Sequence, residues 1–104
     1  MDNFKIIYKI LSALEKSMDM GGIDVNCISA EQLKVSQERW NRYMEMLTDA
    51  GYIKGVSIKK YVTGDIVINI DEIRITLKGL EYLSENSIMQ RMYKAAKGFT
   101  DLIP

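Results

Sequence analysis

The first apolar stripe of the chain has helical spacing. Its members recur every three or four residues: Phe4, Ile7, Leu11, Leu14 and Met18. Lysines fall on the opposite side of the same wheel, so the pattern predicts an amphipathic helix capped by Asp2 or Asn3. The paired glycines at 21–22 are expected to end it, because glycine favours helix ends and turns. A short extended piece over residues 24–28 is expected to follow.

Two further helices are predicted from cap residues and a second stripe. Ser29 and Gln32 have the spacing of a capping box, which predicts a very short helix from Ala30. Ser36 is a second N-cap candidate, and a longer helix is expected from there to residues 50–51. Its apolar stripe consists of Trp40, Tyr43, Met44 and Leu47. A short helix, a tight turn and a longer helix form a helix-turn-helix unit.

The pattern changes to strand periodicity after Gly51. Alternating apolar positions on both sides of a turn at 63–65 are Val56, Ile58, Ile66, Ile68 and Ile70. This alternation predicts a β-hairpin, the wing of a winged helix. Ile73 and Ile75 are out of phase with the preceding isoleucines by one residue, so a bulge or loop is expected at 71–72. Thr76 is expected to cap a helix that carries Leu77, Leu80 and Leu83.

A last apolar stripe lies beyond this unit. It consists of Ile88, Met92, Ala95 and Phe99 and predicts a C-terminal helix. The fold expected is α+β, a winged helix-turn-helix with a small antiparallel sheet of three strands. Residues 1–104 would form one domain, with a winged core at 1–86 and a helical extension at 87–104. The extension would pack on the first helix of its own domain or pair with a second copy, which leaves monomer and homodimer open.

Charge and cysteine content refine this picture. The chain has 14 Lys and Arg against 14 Asp and Glu, so its net charge is zero and DNA binding would need a local basic patch. Cys27 is the only cysteine, which fits a reducing cytoplasm, and its neighbours Val25 and Ile28 favour a buried thiol. No apolar run approaches the roughly 20 residues that cross a membrane, so no membrane association is expected.

The sequence offers little that could support catalysis. Histidine is absent, and one cysteine cannot build the usual type of zinc site. The glycines do not have the spacing of a phosphate-binding loop, and the adjacent carboxylates Asp71 and Glu72 are expected in a solvated loop. We therefore expect a binding protein that is not an enzyme and uses no cofactor or metal.

The residues also carry a family resemblance. The chain resembles the YjcQ-like proteins, small bacterial proteins associated with prophages, over residues 1–11, residues 28–56 with Glu-Arg-Trp-Asn-Arg at 38–42, and residues 74–83. The resemblance implies a winged-helix fold in a bacterial host cytoplasm and, by extension, DNA binding. It carries no functional residues over to this sequence.

The candidate DNA contacts lie on the third helix and the wing. Their side chains can hydrogen-bond base edges or phosphates, and they are Gln37, Arg39, Asn41, Arg42, Lys59 and Lys60. The outer face of the helix, however, carries Glu38, Arg42, Glu45 and Asp49 and is acidic. In an alternative interpretation Glu38 and Arg42 are only a solvated pair one turn apart.

Two functions follow from these observations. The first is a phage- or prophage-associated DNA-binding or regulatory accessory protein whose partner is double-stranded DNA. The second is a protein–protein interaction module of the same fold that no longer binds DNA and has a phage or host protein as its partner. Charge reversal at Lys59 and Lys60 is expected to weaken DNA binding if the wing touches phosphate.

Overall fold

The helices and strands follow the order predicted from the sequence. The computed structural model describes residues 3–86 of the chain. Helices and strands in that range are α1 (Asn3–Lys16), α2 (Ala30–Leu33), α3 (Gln37–Asp49), β1 (Ile53–Lys54), β2 (Ser57–Lys60), β3 (Ile66–Asn69), β4 (Arg74–Ile75) and a helix α4 over residues 77–86. The predicted extension at 87–104 and the candidate cap Asp2 lie outside the described residues.

Serine and threonine side chains set the helix starts. The Ser29 hydroxyl accepts a hydrogen bond from the Gln32 backbone N–H at 3.1 Å, and that of Ser36 accepts one from Arg39 N–H at 3.1 Å. Thr76 does the same for α4, where its hydroxyl accepts from Gly79 N–H at 3.1 Å. These three predicted caps are confirmed, because each satisfies an N–H that has no partner inside its helix.

The prediction of an extended segment over residues 24–28, before α2, is wrong. Residues Val25–Ile28 form a 3₁₀ turn, and the Asp24 side chain accepts a hydrogen bond from Asn26 N–H at 3.0 Å at its start. Aspartate offers its own carboxylate to nearby backbone N–H groups, and this local bond favours a turn over a strand. The turn directs Ile28 into the core, where it is fully buried.

The first helix buries a face rotated from the predicted one. Ile6 and Ile10 are buried together with Leu11 and Leu14, whereas the stripe's two ends, Phe4 and Met18, are exposed. The predicted stripe extended too far at its C-terminal end, because Met18 lies in a 3₁₀ turn, Ser17–Asp19, beyond α1. At its N-terminal end Phe4 belongs to the first turn of α1 but does not reach the core. Four apolar residues on one face still anchor α1 to the core.

The longer helix α3 forms the centre of the core, as its stripe predicts. Trp40, Tyr43, Met44 and Leu47 are all buried. The Trp40 indole N–H donates a hydrogen bond of 2.7 Å to the buried backbone oxygen of Ile28. This bond ties α3 to the turn that precedes α2, so the orientation of the helix-turn-helix unit is fixed by a polar contact as well as by packing.

The β-structure is a long hairpin in two parts. An outer ladder pairs β2 with β3, from Ser57 opposite Asn69 to Lys60 opposite Ile66, and an inner ladder pairs β1 with β4. The predicted three-stranded sheet is wrong, since the strands of the described region form two separate two-stranded ladders. The predicted interruption at 71–72 is confirmed: both residues lie in a turn between β3 and β4.

The predicted α+β class is confirmed. Helices α1–α3, the hairpin and α4 have a winged-helix-like arrangement, with one core formed mainly by α1, α3 and the inner ladder. In the described part of the chain, no helix is long and apolar enough to cross a membrane.

Cys27 is exposed, so the predicted buried thiol is wrong. In the short 3₁₀ turn its neighbour Ile28 takes the inward position. We expect a maleimide reagent to label Cys27 in the native protein about as fast as in denaturant, because reaction needs access to the sulfur. Labelling followed by mass spectrometry would test this. Native protection of more than about tenfold would place the thiol inside instead.

Candidate nucleic-acid interface

A groove runs between α3 and one face of the hairpin. Eight side chains line it: Glu38, Asn41, Arg42 and Glu45 from α3, and Ile58, Lys60, Ile66 and Ile68 from the hairpin. Its volume is about 370 Å³. Since the apolar stripe of α3 is buried, the polar outer face of this helix is the surface left to meet a partner.

The hairpin register sorts the two candidate wing lysines. Directly opposed residues share a face of a sheet, and neighbours along a strand point to opposite faces. Lys60, opposite Ile66, therefore lies on the face that lines the groove, whereas Lys59 lies on the other face opposite Val67. Both lysines are predicted DNA contacts, but they point to opposite faces of the hairpin and cannot contact one surface from the same side.

Lys60 is engaged within the protein. Its ammonium lies 3.0 Å from the carboxylate of Glu45, and the two side chains are 62% and 35% exposed. An ion pair this accessible to water contributes about 1 kcal/mol at most. Its larger effect is on charge, because it places a cation in a groove that α3 alone would make acidic. The groove then holds two carboxylates and two cations.

The polar residues at the start of α3 are partly satisfied by one another. The Gln37 side-chain amide donates a hydrogen bond of 3.0 Å to Asn41 Oδ1. The Asn3 side-chain oxygen accepts hydrogen bonds from the Arg39 guanidinium and from the Tyr43 hydroxyl, both at 2.7 Å. This junction between α1 and α3 had no signal in the sequence, because its members lie far apart along the chain.

Arg42 differs from the other candidates on α3. Its side chain is exposed and makes no hydrogen bond or ion pair with the residues that the structure describes. The suggested pair between Glu38 and Arg42 is thus not formed. Arg42 lies between the hairpin groove and a second groove beside Asn3 and Arg39. Its guanidinium is available for a partner on either side of the helix.

The tip of the hairpin carries exposed apolar side chains that are not among the predicted site residues. Tyr61 is 52% exposed, and Val62 is exposed to its full extent. The turn is ordered by two backbone hydrogen bonds: Tyr61 N–H donates to the backbone oxygen of Asp65 at 2.9 Å, and Gly64 N–H donates to the backbone oxygen of Tyr61 at 2.8 Å. An ordered turn that holds a valine in water offers an apolar contact to a partner.

The adjacent carboxylates Asp71 and Glu72 lie in the exposed turn between β3 and β4, as expected. Asp71 accepts a hydrogen bond from the Asn69 side-chain amide at 3.2 Å. Across residues 3–86, no group of three His, Cys, Asp or Glu side chains is placed to hold a metal ion.

Comparison with known proteins adds one match. A family model described as "YjcQ protein" matches residues 8–102, which is most of the chain. No curated protein and no solved structure matches the chain.

Proposed function

The chain belongs to the YjcQ family, and from this we propose that it is a phage- or prophage-associated DNA-binding or regulatory accessory protein. It would act in the bacterial cytoplasm by binding, without catalysis. Double-stranded DNA is the partner, met by the outer face of α3 and by the hairpin. The prophage association follows the resemblance to the YjcQ-like proteins over residues 1–11, 28–56 and 74–83.

One observation carries the DNA proposal. α3 buries its whole apolar stripe and presents the exposed, unpartnered Arg42 and the half-buried Asn41 to a groove, with the hairpin at its side. A helix is about 10–12 Å across, which fits the roughly 12 Å width of the DNA major groove. Asparagine suits adenine and arginine suits guanine or phosphate, so these side chains match what that groove presents.

The proposal is tested by fluorescence anisotropy of mixed-sequence duplexes at about 50 and 200 mM salt. About three phosphate contacts predict a roughly 40-fold loss of affinity over that range, because each contact releases condensed counterions. Salt-sensitive binding would support the DNA function. The proposal would be refuted if no duplex bound at the lower salt, neither the mixed-sequence duplexes nor those selected with the protein from a random library.

The wing lysines give a sharper prediction. Lys59→Gln is expected to lower the slope of log affinity against log salt by about 0.9, since an unpaired lysine on phosphate displaces a counterion. Lys60→Gln should leave the slope nearly unchanged, because Glu45 already neutralises Lys60. Lys16→Gln at the far end of α1 is the matched control. Equal slopes for the Lys59 variant and the control would show that Lys59 does not contact a DNA phosphate.

A second function is favoured by the hairpin tip. Tyr61 and Val62 expose apolar surface, and most candidate DNA contacts on α3 and β2 already have partners inside the protein. Both features suit a protein–protein interaction module with a phage or host protein as partner. In this function Val62→Ser is expected to abolish capture of that protein, and the parent chain is expected to bind no duplex at about 50 mM salt. Duplex binding that is unchanged in Val62→Ser and weaker in Lys59→Gln would favour the DNA function instead.

A further inference from the structure

We propose that the groove between the starts of α1 and α3 is a phosphate-binding site built on Arg39 and Arg42. The groove has a volume of about 390 Å³ and is lined also by Asn3, Ser36 and Tyr43. It extends along the flank of α3 away from the hairpin, where Asn3 and Arg39 line it, and it shares Glu38 and Arg42 with the groove that holds Lys60. Its DNA ligand rests on the proposed function, but its affinity for a phosphate group does not.

Arg39 is held in place before any ligand arrives. One Nη1 hydrogen bond, 2.7 Å long, goes to the side-chain oxygen of Asn3, and that oxygen also accepts from the Tyr43 hydroxyl at 2.7 Å. Tyr43 is buried in the core, so the hydrogen-bonded group is anchored to a rigid element. A guanidinium has several N–H donors, and those not used by Asn3 remain for a ligand. Fixing a long side chain in advance reduces the entropy lost on binding.

Arg42 completes the pair. It follows Arg39 by about one helical turn, the spacing at which side chains on one flank of a helix are neighbours. Its guanidinium has no partner among residues 3–86. Two guanidinium groups on one groove can bind the oxygens of a tetrahedral phosphate through parallel N–H donors, which is the geometry that arginine recognises best.

The charge of the groove fits a phosphodiester. Its lining holds two arginines against one carboxylate, Glu38, which leaves a net positive charge to oppose one negative phosphate. α3 also begins here, and the partial positive charge of its N-terminus acts in the same direction. Arg42 and Glu38 also line the neighbouring hairpin groove, whose other two charges, Lys60 and Glu45, pair with each other. The positive excess therefore comes from Arg39.

The position of the site suggests which phosphate it takes. If α3 lies in a major groove, its two flanks face the two sugar-phosphate backbones that border that groove. The hairpin would then meet one backbone, and Arg39 with Arg42 would meet the other. Asn3 and Tyr43 act as positioning residues, because they orient Arg39 and leave the contact with phosphate to the guanidinium.

The chemistry is shared by a DNA phosphodiester and by a free phosphate, so the test has two arms. In the first, inorganic phosphate is titrated against the ¹⁵N-labelled full chain at constant ionic strength, with chloride as the reference salt. Saturable shifts at Asn3, Arg39 and Arg42 are expected, and R39Q/R42Q should weaken this binding at least about fivefold. K16Q is the control. Asn3→Ala should weaken it less, with Arg42 still perturbed.

In the second arm a duplex replaces phosphate. The double arginine variant is expected to bind at least about tenfold more weakly and to lose about 1.8 from the salt slope, as two phosphate contacts require. Saturable phosphate binding without duplex binding would uphold the site and refute the DNA function. Duplex binding with unchanged affinity and slope in R39Q/R42Q, together with phosphate shifts that do not saturate or that persist in this variant, would overturn the site and leave the DNA function standing.

Discussion

Replacing Gly55 with alanine is expected to lower the free energy of unfolding by about 3 kcal/mol. Gly55 lies between β1 and β2 with a φ of 81°, a left-handed conformation that strains any residue with a Cβ. A Cβ built there would overlap the backbone oxygen of Glu72 and lie 2.7 Å from its carbonyl carbon. Because the obstacle is backbone, relief requires the two opposing arms of the hairpin to move apart at Gly55 and Glu72.

Gly64→Ala separates conformational strain from steric overlap. Gly64 also has a positive φ, 93°, but a Cβ there has open space around it. We expect it to lose only about 1–2 kcal/mol, the conformational term alone. Urea unfolding followed by circular dichroism would give the free energy of unfolding of both variants, provided that its dependence on urea concentration is the same for each. Similar losses for the two would show that the chain at Gly55 relaxes and that the close approach to Glu72 has no energetic weight.

This close approach explains why the hairpin is in two parts. The backbones of the two arms of the hairpin are in contact at Gly55 and Glu72. The ladder hydrogen bonds are interrupted there, at Gly55 on one arm and at the turn of 71–72 on the other. The phase shift between Ile70 and Ile73 predicted the interruption on the second strand, because both isoleucines must be buried. Nothing in the pattern predicted the matching break on the first strand, so one three-stranded sheet with a bulge or loop at 71–72 was expected, and not two ladders.

Local signals were the most reliable part of the sequence. Ser29, Ser36 and Thr76 act within a few residues of their own position, and all three cap as expected. The stripe on α3 was also sufficient, since one helix face must be buried whatever lies against it. The α1 stripe was less so, because apolar residues at helix ends, such as Phe4 and Met18, fit the period without reaching the core.

The candidate site was predictable in its location but not in its contacts. α3 and the hairpin come together as a helix-turn-helix and wing imply, yet the sequence did not show that Lys60 meets Glu45 or that Asn3 meets Arg39. Such contacts join residues that are distant along the chain, and they depend on how two elements are placed in space. They decide which cations remain free, which is the property that DNA binding needs.

The buried hydrogen bond of Trp40 gives the second large expected effect. Trp40→Phe is expected to lower the free energy of unfolding by about 2–3 kcal/mol. The change leaves a cavity where part of the indole was, and it removes the donor from the backbone oxygen of Ile28. Ile28 is fully buried, and no other donor in the described residues reaches that oxygen, so its desolvation is left uncompensated.

Tyr43→Phe is the matched control on the same helix face. It also removes one hydrogen bond from a buried aromatic residue, but the acceptor, Asn3 Oδ1, keeps its bond from Arg39. The expected loss is only about 0.5–1 kcal/mol. Both variants would be compared by urea unfolding against the parent chain. If Trp40→Phe lost no more than Tyr43→Phe, the indole bond would not fix the angle between α3 and the preceding turn, and packing alone would present Arg42 and Asn41 to a partner.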